Sequence, residues 1–142
     1  MVNQILAGGA TSLVNLVIHA LLMGVLVKFL LSQSDRGTGA PPFLAYTVII
    51  VTTGSVLSAA HFVEVLLWAY TYAAVGAAPP GTDLVYFAFG NYTTLGYGDV
   101  LPLEHWRVIA PMTALNGIML IGWSTALMFA ILRRAVPEIA RR

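Results

Sequence analysis

The chain contains no cysteine, so neither a disulfide nor a thiolate metal site is open to it. Charge is almost as scarce. Asp, Glu, Lys and Arg make up 9 % of the 142 residues, against 58 % that are hydrophobic. An ordinary soluble domain carries about 25 % charged and roughly 45–50 % apolar residues, so a soluble globular protein is excluded. The 7 basic and 6 acidic residues leave a formal net charge of +1. They form no basic cluster on an amphipathic face and do not interleave with aromatics, so nucleic acid is not a partner. What the sequence does have is apolar runs longer than any buried core helix, and lipid is the solvent that suits them.

Three stretches, residues 5–31, 43–72 and 106–132, are long enough to cross a hydrocarbon layer of about 30 Å, which takes about 20 apolar residues. Residues 32–42 are polar and rich in turn formers, and read as a short loop. The first stretch lacks the basic leading region of a signal peptide and exceeds its apolar core of roughly 7–15 residues, so it is expected to be a retained helix. Lys28 sits at the C-terminal end of that stretch, Arg36 follows in the loop, and Arg133, Arg134, Arg141 and Arg142 follow the third. By the positive-inside rule these cations put the C-terminus in the cytoplasm and the N-terminus outside. Between the second and third spans, Gly76-Ala-Ala-Pro-Pro-Gly81 opens a segment too apolar for a solvent loop and too broken by Gly to span. It is expected to re-enter the membrane from the outer face.

Within that segment stands Thr93-Thr94-Leu95-Gly96-Tyr97-Gly98-Asp99. The run resembles the Thr-x-Gly-Tyr-Gly-Asp selectivity filter of the prokaryotic potassium-channel pore-domain family, here with an extra N-terminal transmembrane helix. The likeness is specific over residues 82–134 and extends to the second span by topology. It implies that the hydration shell of K+ is replaced by backbone carbonyls of Thr94, Leu95, Gly96 and Tyr97, with the Thr94 hydroxyl at the inner end. Successive residues must then alternate between right- and left-handed backbone, and Gly96 and Gly98 supply left-handed positions without a Cβ penalty. The resemblance further implies Leu95 and Tyr97 side chains packed behind the filter, Asp99 at the mouth, and four copies around one axis.

Thr82-Asp83 can cap a pore helix over residues 83–93. Its C-terminal end, near Thr93, would direct partial negative charge at a cation below the filter. Tyr86 and Phe87 match an aromatic pair of the family, and the Tyr86 hydroxyl lies within reach of Asp99. Gly90 departs from the pattern, because some relatives carry a bracing carboxylate there. Residues 94–99 form the filter loop, Pro102 and Trp106 return the chain to the outer interface, and residues 133–142 read as a basic cytoplasmic tail, too short for a nucleotide- or calcium-binding domain.

On the third span, Gly117 and Gly122 are candidates either for a gating bend or for close packing. Asn116, Ser124 and Thr125 are candidates for wetting the cavity, and spacing leaves the direction of Trp123 open. On the second span His61, Glu64 and Trp68 share one face. Two ligands are too few for a metal from one chain, which leaves a hydrogen-bonded pair facing the pore helix or a pH-responsive pair. Glu64 can also supply the brace that Gly90 lacks, and His19, one turn from Asn15, reads as an interhelical hydrogen bonder. Asn91-Tyr92-Thr93 fits the glycosylation pattern but is expected to be buried.

These readings describe an all-α membrane protein, with three transmembrane helices plus a re-entrant pore helix and filter loop, assembled as a tetrameric channel. It is expected in the cell (inner) membrane, with lipid, K+ and its own copies as partners, no cofactor beyond the permeant ion, and no catalysis. The rival reading is a non-conducting membrane protein or a membrane enzyme that works through His61 and Glu64.

Overall fold

A run of apolar residues in lipid must satisfy its backbone internally, and a helix does so within one segment. The computed structural model describes residues 1–34 and 41–140, and every regular element among them is helical. Helix α1 covers Val2–Ser34, α2 Pro42–Val75, α3 Leu84–Tyr92 and α4 Ile109–Ala140, with a 3-10 turn at Glu104–Trp106 before α4. Three of the four helices are long and apolar enough to cross a membrane. Arg36, Arg141 and Arg142 lie outside the described residues.

The helix ends follow from local chemistry. Proline stands in the first turn of α2, where its missing N–H has no helical partner to lose. That helix stops at Gly76, whose left-handed φ of 62° turns the chain away. Asp83 starts α3 by accepting from the backbone N–H groups of Val85 and Tyr86 at 3.0 and 3.1 Å. Trp106 belongs to the 3-10 turn, so α4 begins three residues later than the apolar run suggests. Its first turn borrows a cap from across the bundle, where the Gln4 side-chain oxygen accepts from the Val108 N–H at 2.9 Å. At its other end α4 continues to Ala140, so most of the expected tail is helix.

Helices α2, α3 and α4 share one core, in which Trp68 and Tyr72 of α2 meet Phe87 and Tyr92 of α3 and Ile109 of α4. Helix α1 lies against α2 and α4. Its buried positions are Gln4, Gly8, Thr11, Asn15, His19, Met23 and Leu26, steps of three or four residues that form one seam. The seam is polar from Gln4 to His19 and apolar at Met23 and Leu26, which pack on Leu57 and Ala60. Leu6, Leu13, Val17, Leu21 and Val25, on the rest of α1, stay exposed as a lipid-facing surface.

Candidate functional site

The Gly76 turn and the Asp83 cap bring α3 back against α2 and α4, and the residues after Tyr92 leave the helix as an exposed loop. Thr93 caps α3, its hydroxyl donating to the Phe89 carbonyl at 2.7 Å. The chain beyond it is held against α3 by the Thr94 N–H on the Asn91 carbonyl and the Gly96 N–H on the Gly90 carbonyl, both at 3.1 Å. Along this loop φ is 61° at Thr94, 46° at Gly96 and 79° at Gly98, whereas Leu95 and Tyr97 keep negative φ. Alternation of this kind turns successive carbonyls to one side. Two of the three left-handed residues are the glycines expected to take that role. Thr94 is the third, and a β-branched residue rarely holds this conformation unless its surroundings impose it.

The loop is also braced at its far end, where the Tyr86 hydroxyl donates to Asp99 Oδ2 at 2.8 Å. The hydrogen bond to the Asp99 carboxylate holds the Tyr86 phenol above its ordinary value. Between α3 and the loop lies a cleft of about 270 Å³, lined by Phe89, Gly90, Thr93, Leu95, Tyr97 and Val100. Leu95 and Tyr97 do not pack within their own chain as the sequence suggests: they are 57 % and 70 % exposed. A single chain supplies no wall opposite them. A side chain at Gly90 would meet nothing within 4 Å, so the missing carboxylate leaves open space.

Behind α3 lies a second constellation. Glu64 is fully buried and bonded on both oxygens: Oε1 to His19 Nδ1 at 2.8 Å, Oε2 to His61 Nδ1 at 2.9 Å and to the Tyr92 hydroxyl. The carboxylate of α2 therefore reaches α3, through Tyr92 at its last residue. On the far side of the two imidazoles, Ser124 Oγ lies 2.9 Å from His61 Nε2 and 3.4 Å from His19 Nε2. The Trp123 ring stands 5.3 Å from that of His19. A step away, Asn116 Oδ1 accepts from Asn15 Nδ2 at 3.0 Å and from Trp68 Nε1 at 2.9 Å. Tyr72 links Thr113, at 2.6 Å, to the Asn91 side chain, at 3.2 Å.

This geometry revises several expectations. Asn116 and Ser124 are buried against α1 and α2 and do not wet a cavity in the way spacing allowed. Thr125 is exposed and bonds its own helix at the Ile121 carbonyl. Gly117 is a packing residue, because a Cβ there would lie 2.0 Å from the Tyr92 carbonyl oxygen. Gly122 meets nothing within 4 Å. His61 and Glu64 are not a pair but part of a triad completed by His19. Tyr92 and the Asn15–Asn116–Trp68 link escaped the sequence reading. The signal that could have found the partners on α1 is the spacing of Gln4, Thr11, Asn15 and His19, all on one helical stripe.

Compared with known proteins, residues 60–134 match a family model described as ion channel. That stretch runs from the middle of α2 through α3 and the filter loop into α4. No curated protein and no solved structure matches the chain.

Proposed function

The chain belongs to the ion channel family, and we propose that it conducts K+ selectively as a homotetramer in the prokaryotic inner membrane, with its N-terminus outside and its C-terminus in the cytoplasm. The observation that carries this reading is the left-handed backbone at Thr94, Gly96 and Gly98 within Thr-Thr-Leu-Gly-Tyr-Gly-Asp. A K+ ion stripped of water needs oxygens on all sides at similar distance. Four copies of this alternating loop around one axis supply them from the carbonyls of Thr94, Leu95, Gly96 and Tyr97, with the Thr94 hydroxyl below.

The remaining parts follow in order. The carbonyl end of α3 carries partial negative charge towards the axis, where it stabilises a cation below the filter. Asp99, held by Tyr86, attracts cations at the mouth. Leu95 and Tyr97, open in one chain, pack against the neighbouring copy and keep the ring at its width. Helix α4 lines the inner cavity with its exposed face, which includes Leu115, Ile118 and Met119. Conduction of this kind is transport and not catalysis, and it requires no cofactor.

Flux through liposomes containing the purified protein tests the reading. A potassium gradient should drive flux that a sodium gradient does not, and native mass spectrometry should give four chains per particle. Gly96→Ala and Gly98→Ala, each adding a Cβ at a left-handed position, should abolish K+ selectivity or current while leaving the tetramer intact. Unchanged selectivity in either folded variant overturns the filter assignment. Absence of any K+ flux from the folded parent favours the non-conducting reading.

A further inference from the structure

The polar centre behind α3 is short of one hydrogen. Its ring of four contacts joins Glu64 to the two histidine Nδ1 atoms, and the two Nε2 atoms to Ser124. Each contact needs one hydrogen. Two neutral imidazoles and one serine hydroxyl supply three, and an ionised carboxylate supplies none, so the 3.4 Å contact of Ser124 with His19 is the one left without a hydrogen. The centre is also short of positive charge. Glu64 is fully buried, and its side-chain partners among the described residues are His19, His61 and Tyr92, with no Lys or Arg. A bare carboxylate at that depth is expensive. A bound cation removes both deficits.

We propose that His19, His61 and Glu64 form a binding site for a divalent transition-metal ion of the zinc class. Their donor atoms lie within 4.8 Å of one another. Two imidazoles and one carboxylate are a borderline donor set suited to Zn2+, Co2+, Ni2+ or Fe2+, and poorly suited to Ca2+ or Mg2+. His61 and Glu64 stand one turn apart on α2, and His19 closes the triad from α1. Ligands of a tetrahedral ion with bonds of about 2.0–2.1 Å sit about 3.3 Å apart, so the His19 contact on Oε1 at 2.8 Å and the His61 contact on Oε2 at 2.9 Å must each open, and the carboxylate turn, to admit an ion.

The surroundings fit an ion better than they fit hydrogen bonds alone. With both Nδ1 lone pairs on the metal, each imidazole carries its proton on Nε2, and the two lone pairs of Ser124 Oγ accept both. That is the usual outer-shell device for fixing the tautomer and aim of a metal-bound histidine. Tyr92 Oη lies 2.8 Å from His61 Nδ1 and adjoins Glu64, which places a fourth oxygen at the site. The ion would clamp α1 to α2 next to the last residue of the pore helix.

The test uses the full-length chain in nanodiscs after chelator treatment, with the metals themselves as probes. Calorimetric titration with Zn2+ should show one ion per chain, and Co2+ should develop visible d–d absorption that added Zn2+ displaces. His19→Gln and Glu64→Gln should each bind at least about ten-fold more weakly, losing one of three ligands. Glu64→Gln keeps the side-chain shape, and thermal unfolding without metal establishes that each variant is folded. His105→Gln, which alters the exposed histidine outside the cluster, should bind like the parent. Failure of the folded parent to bind either metal overturns the proposal and leaves the centre a protonated hydrogen-bonded ring. So does binding that survives in folded His19→Gln and Glu64→Gln. Neither result bears on potassium flux, which stands or falls on the filter.

Discussion

Gly117 shows how a single missing Cβ can set the distance between two helices. The residue is buried where α4 crosses the end of α3, and an added methyl would lie 2.0 Å from the backbone oxygen of Tyr92. A flexible side chain could swing aside, but a helix backbone cannot. Gly117→Ala should therefore cost about 1–3 kcal/mol or more by overpacking and displace the pore helix. Gly122→Ala, with nothing within 4 Å in the chain, should lack that penalty. Thermal unfolding of the two variants side by side checks the contrast. At the far end of the loop, the Asp99 carboxylate raises the Tyr86 phenol above its ordinary value. A raised value means that the bond's contribution is complete below about pH 10 and disappears as pH rises through the higher folded value. In a difference titration of parent minus Tyr86→Phe, tyrosinate absorbance should appear above that ordinary range; its appearance at or below it would deny the bond.

Among the elements, α3 depends most on its ends. It has only 9 residues, too few for an isolated helix to persist in water. Its stability comes from packing on α2 and α4 and from the two Asp83 cap bonds. Asp83→Ala should cost about 0.5–2 kcal/mol, and Asp83→Asn much less, when unfolding of the full chain is followed by circular dichroism. Helix α1 presents the opposite case. Its length and apolarity make it a span on its own, but its polar seam finds side-chain partners on other helices. Asn15 finds Asn116, Thr11 finds Thr71 at 2.9 Å, and Gln4 caps α4. Such bonds select one packing of α1 among several that lipid alone would allow.

The whole molecule carries little charge across the membrane. Lys28 is the sole Lys or Arg of α1 and α2, and its long stem lets it snorkel to the interface. Each gating charge moved through the field is worth about 2.3 kcal/mol per 100 mV, and steep gating needs several per subunit. In planar bilayers of pure lipid, the open probability should therefore vary weakly with voltage. A steep curve carrying several charges per subunit would contradict this arrangement. The exposed Leu95 and Tyr97 belong to the same scale, since the proposed tetramer would cover them with a neighbouring copy.

The sequence by itself determined the three spans and the short intervening helix, because long apolar runs in lipid have few backbone options and Gly76, Asp83 and the two filter glycines declare their local geometry. It also contained the Thr-Thr-Leu-Gly-Tyr-Gly-Asp run, whose left-handed positions are set within a few residues. Contacts between residues far apart in the chain were decided by tertiary structure alone. No local pattern brings His19 to Glu64, 45 positions away, or sets Gly117 against Tyr92. His61 and Glu64 share a helical face and were visible as a pair, whereas the third member lies on a helix whose rotation depends on its whole polar seam. Thr94 is the instructive case within the filter itself. Its side chain argues against a left-handed backbone, and only the fixed ends of the loop, tied to α3 at Gly90 and Asn91, impose it.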